Sequence, residues 1–313
     1  MKKILISVGD LGGINPYLIY IVAKKYRNIN FDLSISEKIF YDILKNFKID
    51  KRLKNLFFDF PEVDFERIDF GKPSKSSTQL SIISLDFSIQ KIKRKKNEYY
   101  GLLTMPICKE EVGKFIKGFG GHTEYLEQKF GKKLSMLLYS KTISVLPLTR
   151  HIKLENVESE IFKSEIKKQI KNLFNFYKNF LNKKPNVLFL CINPHCSDGK
   201  LLGMSDEKLK KIILNLKKEF KNIDGPVSAD SAFNKSNLTK YDIFVGAYHD
   251  QVLIPFKMLS FNDGVNITLG LDFLRVSPDH GPAYGLTGKR GLIDSTSTER
   301  SVEILLNLTS SQK

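Results

Sequence analysis

The chain has 313 residues, with 50 Lys+Arg against 34 Asp+Glu and a formal net charge of +16. At roughly 150 residues per domain the length allows two domains or one large one, and 42% hydrophobic residues exclude a disordered chain. Apolar runs such as Val187 to Ile192 fall far short of the ~20 residues of a membrane span, Ile4 to Val8 is too short for a secretory apolar region, and the odd, sparse set Cys108, Cys191 and Cys196 argues against a disulfide framework and for a reducing cytoplasm.

Short β-rich runs alternate with amphipathic stretches, the signature of an α/β layered fold. Ile4 to Val8 reads as a buried strand and Gly9-Asp10-Leu11-Gly12-Gly13 as a turn. Asn15-Pro16 offers an N-cap and first-turn proline for a helix to about Lys25. Phe31 to Ile35 is predicted as strand, 38–49 as helix, 55–70 as strand with turns, Ser81 to about Asn97 as helix and Leu102 to Met105 as strand. The run Lys91-Ile92-Lys93-Arg94-Lys95-Lys96 closes that helix and complements its dipole. Like the other lysines, scattered and mixed with acids, it reads as a solvated face rather than a nucleic-acid patch. Met136 to Tyr139 and Ile143 to Leu148 form a hairpin or a neighbouring pair. Ile161, Ile166, Ile170, Leu173, Phe174 and Phe180 keep a period near 3.6, which predicts one long helix from Glu155 to Leu181. Strand Val187 to Ile192, helix Asp206 to Phe220, strands Ile243 to Ala247, Val265 to Thr268 and Phe273 to Val276, and a helix from Thr298 to Leu308 complete the chain.

Five histidines occur, His122, His151, His195, His249 and His280, each at a predicted strand end or loop. Ligands of open α/β sheets bind outside the carboxyl ends of strands. His151, His195 and His249 fall at such ends, where three imidazoles can hold one divalent cation with positions left for substrate. Each also suits a hydrogen-bonded loop residue, and no His-x-x-x-His spacing occurs. Gly120-Gly121-His122-Thr123 precedes a helical stretch, Glu124 to Phe130, whose free N–H groups favour an anion. A Thr-capped helix explains the same residues. No Gly-x-Gly-x-x-Gly or Walker A sequence is present, so a nicotinamide cofactor would need a scaffold other than Rossmann.

Several blocks carry a resemblance over nearly the full length. They are Ser7-Val8-Gly9-Asp10-Leu11-Gly12-Gly13-Ile14-Asn15-Pro16, Thr104-Met105-Pro106-Ile107-Cys108-Lys109, Gly121-His122-Thr123-Glu124, Asn193-Pro194-His195 and Ser228-Ala229-Asp230. They continue in Tyr248-His249-Asp250-Gln251, Val265-Asn266-Ile267-Thr268-Leu269-Gly270-Leu271, Arg275 and Asp279-His280-Gly281. On these the chain resembles the 4-hydroxythreonine-4-phosphate dehydrogenase (PdxA) family. It departs at Leu11 and Asn15, where the family has Pro and a second Gly. It departs also in Cys196 to Gly203, where the family has a Gly-rich loop with a second His, and 50–100 is divergent.

The resemblance implies a two-lobed α/β/α fold similar to isocitrate and isopropylmalate dehydrogenases, with lobes at 1–120 plus 265–313 and at 121–264. It implies His151, His195 and His249 as ligands of one divalent ion (Zn, Mg or Co), drawn from both subunits of a homodimer with shared active sites. His122, Thr123, Lys257, Asn266 and Arg275 match substrate contacts, and His280, Gly281 and Gly288 lie in a loop similar to the NAD or NADP loop of that class. Asp230 and Asp250 stand as proton acceptors or as orienters of a ligand imidazole. The implied reaction is NAD(P)-dependent oxidation of 4-phosphooxy-L-threonine to 2-amino-3-oxo-4-phosphooxybutanoate, which loses CO₂ to give 3-amino-2-oxopropyl phosphate, in the cytoplasm, with no nucleic acid or membrane partner. A dehydrogenase of the same architecture acting on another phosphorylated hydroxy acid is the nearest rival.

Overall fold

The computed structural model describes residues 1–64 and 67–310, so positions 65 and 66 of the predicted 55–70 segment lie outside the described residues. Its elements are β1 (Lys3–Ser7), α1 (Asn15–Lys25), β2 (Asn30–Leu33), α2 (Glu37–Leu44), β3 (Leu56–Phe58), α3 (Lys75–Lys95), β4 (Tyr99–Thr104), α4 (Lys109–Phe115) and α5 (His122–Phe130). Then come β5 (Ser135–Tyr139), β6 (Ser144–Pro147), α6 (Val157–Ile161), α7 (Ile166–Leu181), β7 (Val187–Leu190), α8 (Ser205–Glu219) and β8 (Ile223–Val227). The chain continues through α9 (Ala229–Ala232), α10 (Lys235–Lys240), β9 (Ile243–Gly246), α11 (His249–Leu259), β10 (Val265–Leu269), β11 (Arg275–Pro278) and α12 (Thr296–Ser310). Two compact units result: Met1–Tyr125 with Leu271–Lys313, and Leu126–Gly270.

In the first unit the strands run in the order β3-β2-β1-β4-β11, every pair parallel. Parallel strands are covered on both faces and therefore read as continuous apolar runs. Ile4, Leu5 and Ile6 of β1 and Leu102 and Leu103 of β4 are fully buried, with α3 packed on β1 and β4 and α12 on β4 and β11. In the second unit the order is β10-β5-β6-β9-β7-β8. β10, β5 and β6 pair antiparallel, and β6, β9, β7 and β8 pair parallel. Leu138, Val145, Leu188, Leu190, Phe244, Val252 and Phe256 form the core of this unit. Each such side chain contributes roughly 1.5–3 kcal/mol on burial.

The structure corrects several sequence expectations. Asn15 is the first residue of α1, not its cap. Its Nδ2 donates to the carbonyls of Val8 (3.3 Å), Asp10 (3.0 Å) and Pro106 (2.7 Å), tying the loop after β1 together. Helix α3 starts six residues before the expected Ser81, because Ser74 and Ser77 cap each other's backbone N–H reciprocally. The single helix expected over Glu155 to Leu181 is broken into α6 and α7. Glu165 is left-handed at φ 52°, and Gln169 Nε2 donates to Ser164 O at the break (2.9 Å) and to Leu148 O after β6 (3.0 Å). Lys91 is no part of a solvated face: it pairs with Asp32 (2.7 Å) and Asp59 (3.0 Å), its side chain only 11% exposed. The strand expected at Phe273 to Val276 is shifted to Arg275–Pro278.

The cysteine expectation also fails in part. Cys191 and Cys196 are joined as a disulfide with Cα atoms 5.1 Å apart, inside the usual range for such a link. A count of cysteines cannot see that the chain after β7 doubles back within five residues. Cys108 is the free cysteine.

Candidate active site

In the second unit the parallel order β6-β9-β7-β8 brings four carboxyl ends side by side, and each is followed by a predicted site residue. His151 follows β6, His249 follows β9, His195 follows β7 and Asp230 follows β8. The ends are tied to one another. Leu148 N donates to Gly246 O (2.8 Å) and Thr149 N to Ala247 O (3.1 Å), while Thr149 Oγ1 donates to the same Ala247 carbonyl (2.7 Å). Gln251 receives Ala247 N on its Oε1 (2.7 Å) and donates Nε2 to Cys191 O (2.8 Å), bridging β9 to β7. The His151 and His249 rings consequently lie with centroids 5.5 Å apart.

His249 opens α11, and its Nδ1 donates to Asp250 Oδ1 at 2.5 Å. That bond places the acceptor lone pair on Nε2, the arrangement a metal-ligating imidazole needs. Asp230 accepts from the Ser228 hydroxyl (2.5 Å); this bond first, and then the Ser231 backbone N–H, hold its carboxyl below the usual range. Asn266 is the second residue of β10, and its Oδ1 is buried with no hydrogen-bond partner among the described residues. Lys257 lies in the last turn of α11 with its ammonium over the Phe261 ring.

His195 sits in an unusual backbone. From His195 to Lys200 every φ is positive, between 47° and 86°. A left-handed residue other than glycine costs roughly 1–2 kcal/mol, so the run persists only because other groups fix it. Among the described residues no group of three or more His, Cys, Asp or Glu side chains is placed to hold a metal ion as it stands. In kind, the donors still fit a divalent cation: two imidazoles lie side by side, one of them already oriented by a carboxylate.

The first unit holds a second group of predicted residues. Arg275, the first residue of β11, is 1% exposed and its guanidinium donates to Thr104 Oγ1. Burial pushes its pKa down to about 9, opposed by Glu124, which leaves a cation at neutral pH. His122 opens α5, with Nε2 buried and without a partner among the described residues. Burial first, then the charges of Arg275 and Lys109, keep its pKa well below the ordinary value. Lys109 is likewise pushed down by burial. Gly121 takes φ 141° between these side chains: a Cβ there would meet Glu124 Oε2 at 3.2 Å and Lys109 Nζ at 3.4 Å. Two cations, one carboxylate, a neutral imidazole and the start of a helix make this pocket complementary to an anion. Thr123 is buried beside it.

His280 Nδ1 donates to Gly281 O (2.8 Å), fixing the tautomer in the loop after β11. Gly281 has no atom within 4 Å of where a Cβ would stand, and Gly288 takes φ 81°; such open backbone fits close approach by a cofactor. Nearby, buried Asp10 accepts from Tyr284 OH (2.8 Å) and Gly12 N (2.9 Å), and desolvation raises its pKa. A cavity of about 780 Å³ beside α2 is lined by Asp42, Phe58 and Phe60 among others, and holds none of the predicted residues.

The family model described as Pyridoxal phosphate biosynthetic protein PdxA matches residues 21–305. The chain belongs to the PdxA family. It is 37% identical to the 4-hydroxythreonine-4-phosphate dehydrogenase of Hydrogenobaculum sp. (97% of this chain, 98% of that one). It is 33% identical to that of Sulfurihydrogenibium sp., over 98% of each chain. Its fold matches the crystal structure of the enzyme of that name from Klebsiella pneumoniae (TM-score 0.81, 22% identity, 99% of this chain and 100% of that one). More distantly it matches isocitrate dehydrogenase from Methylococcus capsulatus (TM-score 0.53, 13% identity, 100% of this chain and 87% of that one). The PdxA fold is thus an α/β fold shared with isocitrate-dehydrogenase-type enzymes. Lys109, Glu124, Asp206 and Gln251 were not singled out from sequence. Lys109, Glu124 and Gln251 lie in blocks that carry the family resemblance and Asp206 at the start of a predicted helix outside them, and only the fold shows what each touches.

Proposed function

We propose that the chain is an NAD(P)-dependent dehydrogenase that oxidises 4-phosphooxy-L-threonine to 2-amino-3-oxo-4-phosphooxybutanoate, which decarboxylates to 3-amino-2-oxopropyl phosphate. The observation that carries the reading is the delivery of His151, His249 and His195 by three adjacent parallel strands, in a chain over a third identical to an enzyme of that name. Bound at these imidazoles, a divalent cation supplies Lewis acidity toward a substrate hydroxyl, and a nicotinamide supplies the hydride acceptor. An imidazole donor set favours a Zn²⁺-like ion over Mg²⁺.

The chain's own residues do the rest. Arg275, Lys109 and the start of α5 bind the anionic end of the substrate, and neutral His122 donates or accepts a hydrogen bond there without adding charge. Thr123, Lys257 and Asn266 are further contacts, Asn266 offering its buried Oδ1 to a substrate N–H or O–H. Asp250 holds the proton on His249 Nδ1 and so keeps Nε2 a ligand. Asp230, held ionised by Ser228, is the better placed of the two carboxylates to receive a proton. His280, Gly281 and Gly288 contact the cofactor. The enzyme works as a homodimer in the cytoplasm. Among the described residues no helix is long and apolar enough to cross a membrane.

The test is reduced-cofactor absorbance with 4-phosphooxy-L-threonine, a divalent cation and NAD or NADP in turn. Turnover with either cofactor, lost on chelation and regained on adding Zn²⁺ or Co²⁺, supports the reading. A metal-replete protein that turns over neither would overturn it.

A further inference from the structure

We propose that Asp206 is a positioning residue whose carboxylate fixes the backbone on both sides of His195 and thereby aims that imidazole at the cation; this rests on the metal reading above. Asp206 is the second residue of α8 and is 3% exposed. Its Oδ1 accepts Ile192 N (2.7 Å), and its Oδ2 accepts Asn193 N (3.2 Å) and Ser197 Oγ (2.6 Å). Ser197 is itself buried and also receives Asn193 Nδ2 (3.3 Å). One side chain therefore grips the chain before and after His195, across the left-handed run that no local propensity would hold.

The grip has a firm base. Ser205, the first residue of α8, donates to Glu158 of α6, and a carboxylate in the first turn of a helix is favoured by the helix dipole. His195 contributes none of the anchoring contacts itself. Its ring direction follows from the backbone at 192–197, and that backbone follows Asp206. A metal ligand fixed by an outer carboxylate is a recurring arrangement; here the carboxylate acts through main chain rather than on the ring.

The experiment is calorimetric titration of the metal-free protein with Zn²⁺, all variants held in one redox state because the Cys191–Cys196 link closes the same loop. Asp206→Ala should weaken Zn²⁺ binding roughly 10- to 100-fold while the metal-free protein still unfolds cooperatively. In a His195→Ala background the same change should alter affinity less than about twofold, because two residues acting through one ligand are not additive. Should Asp206→Ala fail to fold, Ser197→Ala removes one arm of the grip, and the same pattern of weakening with and without His195 is expected. Equal weakening in both backgrounds would mark a general structural role and overturn the inference, as would no weakening at all. If the unmodified protein binds no Zn²⁺, the metal reading falls and this inference with it; if it binds and Asp206→Ala binds equally, only this inference falls.

Discussion

Arg275→Lys isolates what the guanidinium contributes to anion binding. Arg275 is buried at the start of β11, its donor on Thr104 Oγ1, with Glu124 the carboxylate that opposes its desolvation. Removing the side chain altogether would empty a fully buried position and leave Glu124 without its neighbouring cation, so a binding loss would be confused with loss of stability. Lysine keeps the charge and loses the planar fork that meets a phosphate or carboxylate through two N–H groups. A charge-assisted hydrogen bond is worth roughly 1.5–3 kcal/mol, so KM for 4-phosphooxy-L-threonine should rise roughly 10- to 140-fold at 1.4 kcal/mol per decade. KM for NAD(P) should stay within about twofold, since that effect acts at separate residues. Steady-state kinetics with each substrate varied in turn measures both. Equal shifts in the two constants, or a shift confined to the cofactor, would refute the assignment of Arg275 to the substrate anion.

His122 has a folded-state pKa depressed below its ordinary 6.5 by burial and by two neighbouring cations. Its unfolded form takes up a proton first, so this contribution to stability is complete above pH 6.5 and is lost as pH falls, by up to about 1.4 kcal/mol per pH unit; His122→Gln should flatten that part of the thermal unfolding profile, and an unchanged slope would show that His122 is not buried neutral. Changing His249 or His195 to Ala should remove most bound metal, read by elemental analysis after gel filtration, and abolish turnover with far-ultraviolet circular dichroism intact; full metal occupancy in either variant would sink the site. Asp250→Asn should weaken Zn²⁺ binding roughly tenfold or more by releasing the His249 tautomer, and undiminished affinity would return Asp250 to the role of proton acceptor.

The strands were legible wherever one feature decides them. Ile4 to Val8, Val187 to Ile192 and Ile243 to Ala247 are continuous apolar runs because parallel strands are covered on both faces, and each differs from the observed strand only at its ends. Some misses come from local signal outvoted by a contact distant in sequence, others from a local signal that hides the element. Ile223–Val227 contains Asp224, Gly225 and Pro226, turn residues by composition, yet it pairs with β7 at the sheet edge, where a proline is tolerated. The periodicity through Ile161, Ile166 and Ile170 survives a break in the helix because both fragments bury the same kind of face, so hydrophobic spacing alone cannot find the left-handed Glu165. Helix α11, opening on His249, was hidden by Pro255 within it.

For the proposed site, sequence supplied the candidate ligands and withheld what would aim them. His151, His195 and His249 are visible because histidine is rare here and each follows a strand. That His151 and His249 are neighbours depends on the order β6-β9-β7, in which strands distant in sequence lie side by side, and no local spacing encodes that order. The anchoring groups are harder still. Asp206 reads as an ordinary acidic residue at a helix start, Lys109 as one of many lysines and Gln251 as unremarkable, because each acts on backbone or on charges contributed by another part of the chain. Two of the three groups that Asp206 holds are main-chain N–H groups, which leave no trace in the side chains of the loop, and the third, the Ser197 hydroxyl, is a commonplace loop side chain. The Cys196 to Gly203 stretch can therefore depart from the family's Gly-rich sequence and still hold His195, provided that a group such as Asp206 fixes the left-handed backbone which glycine would otherwise adopt unaided.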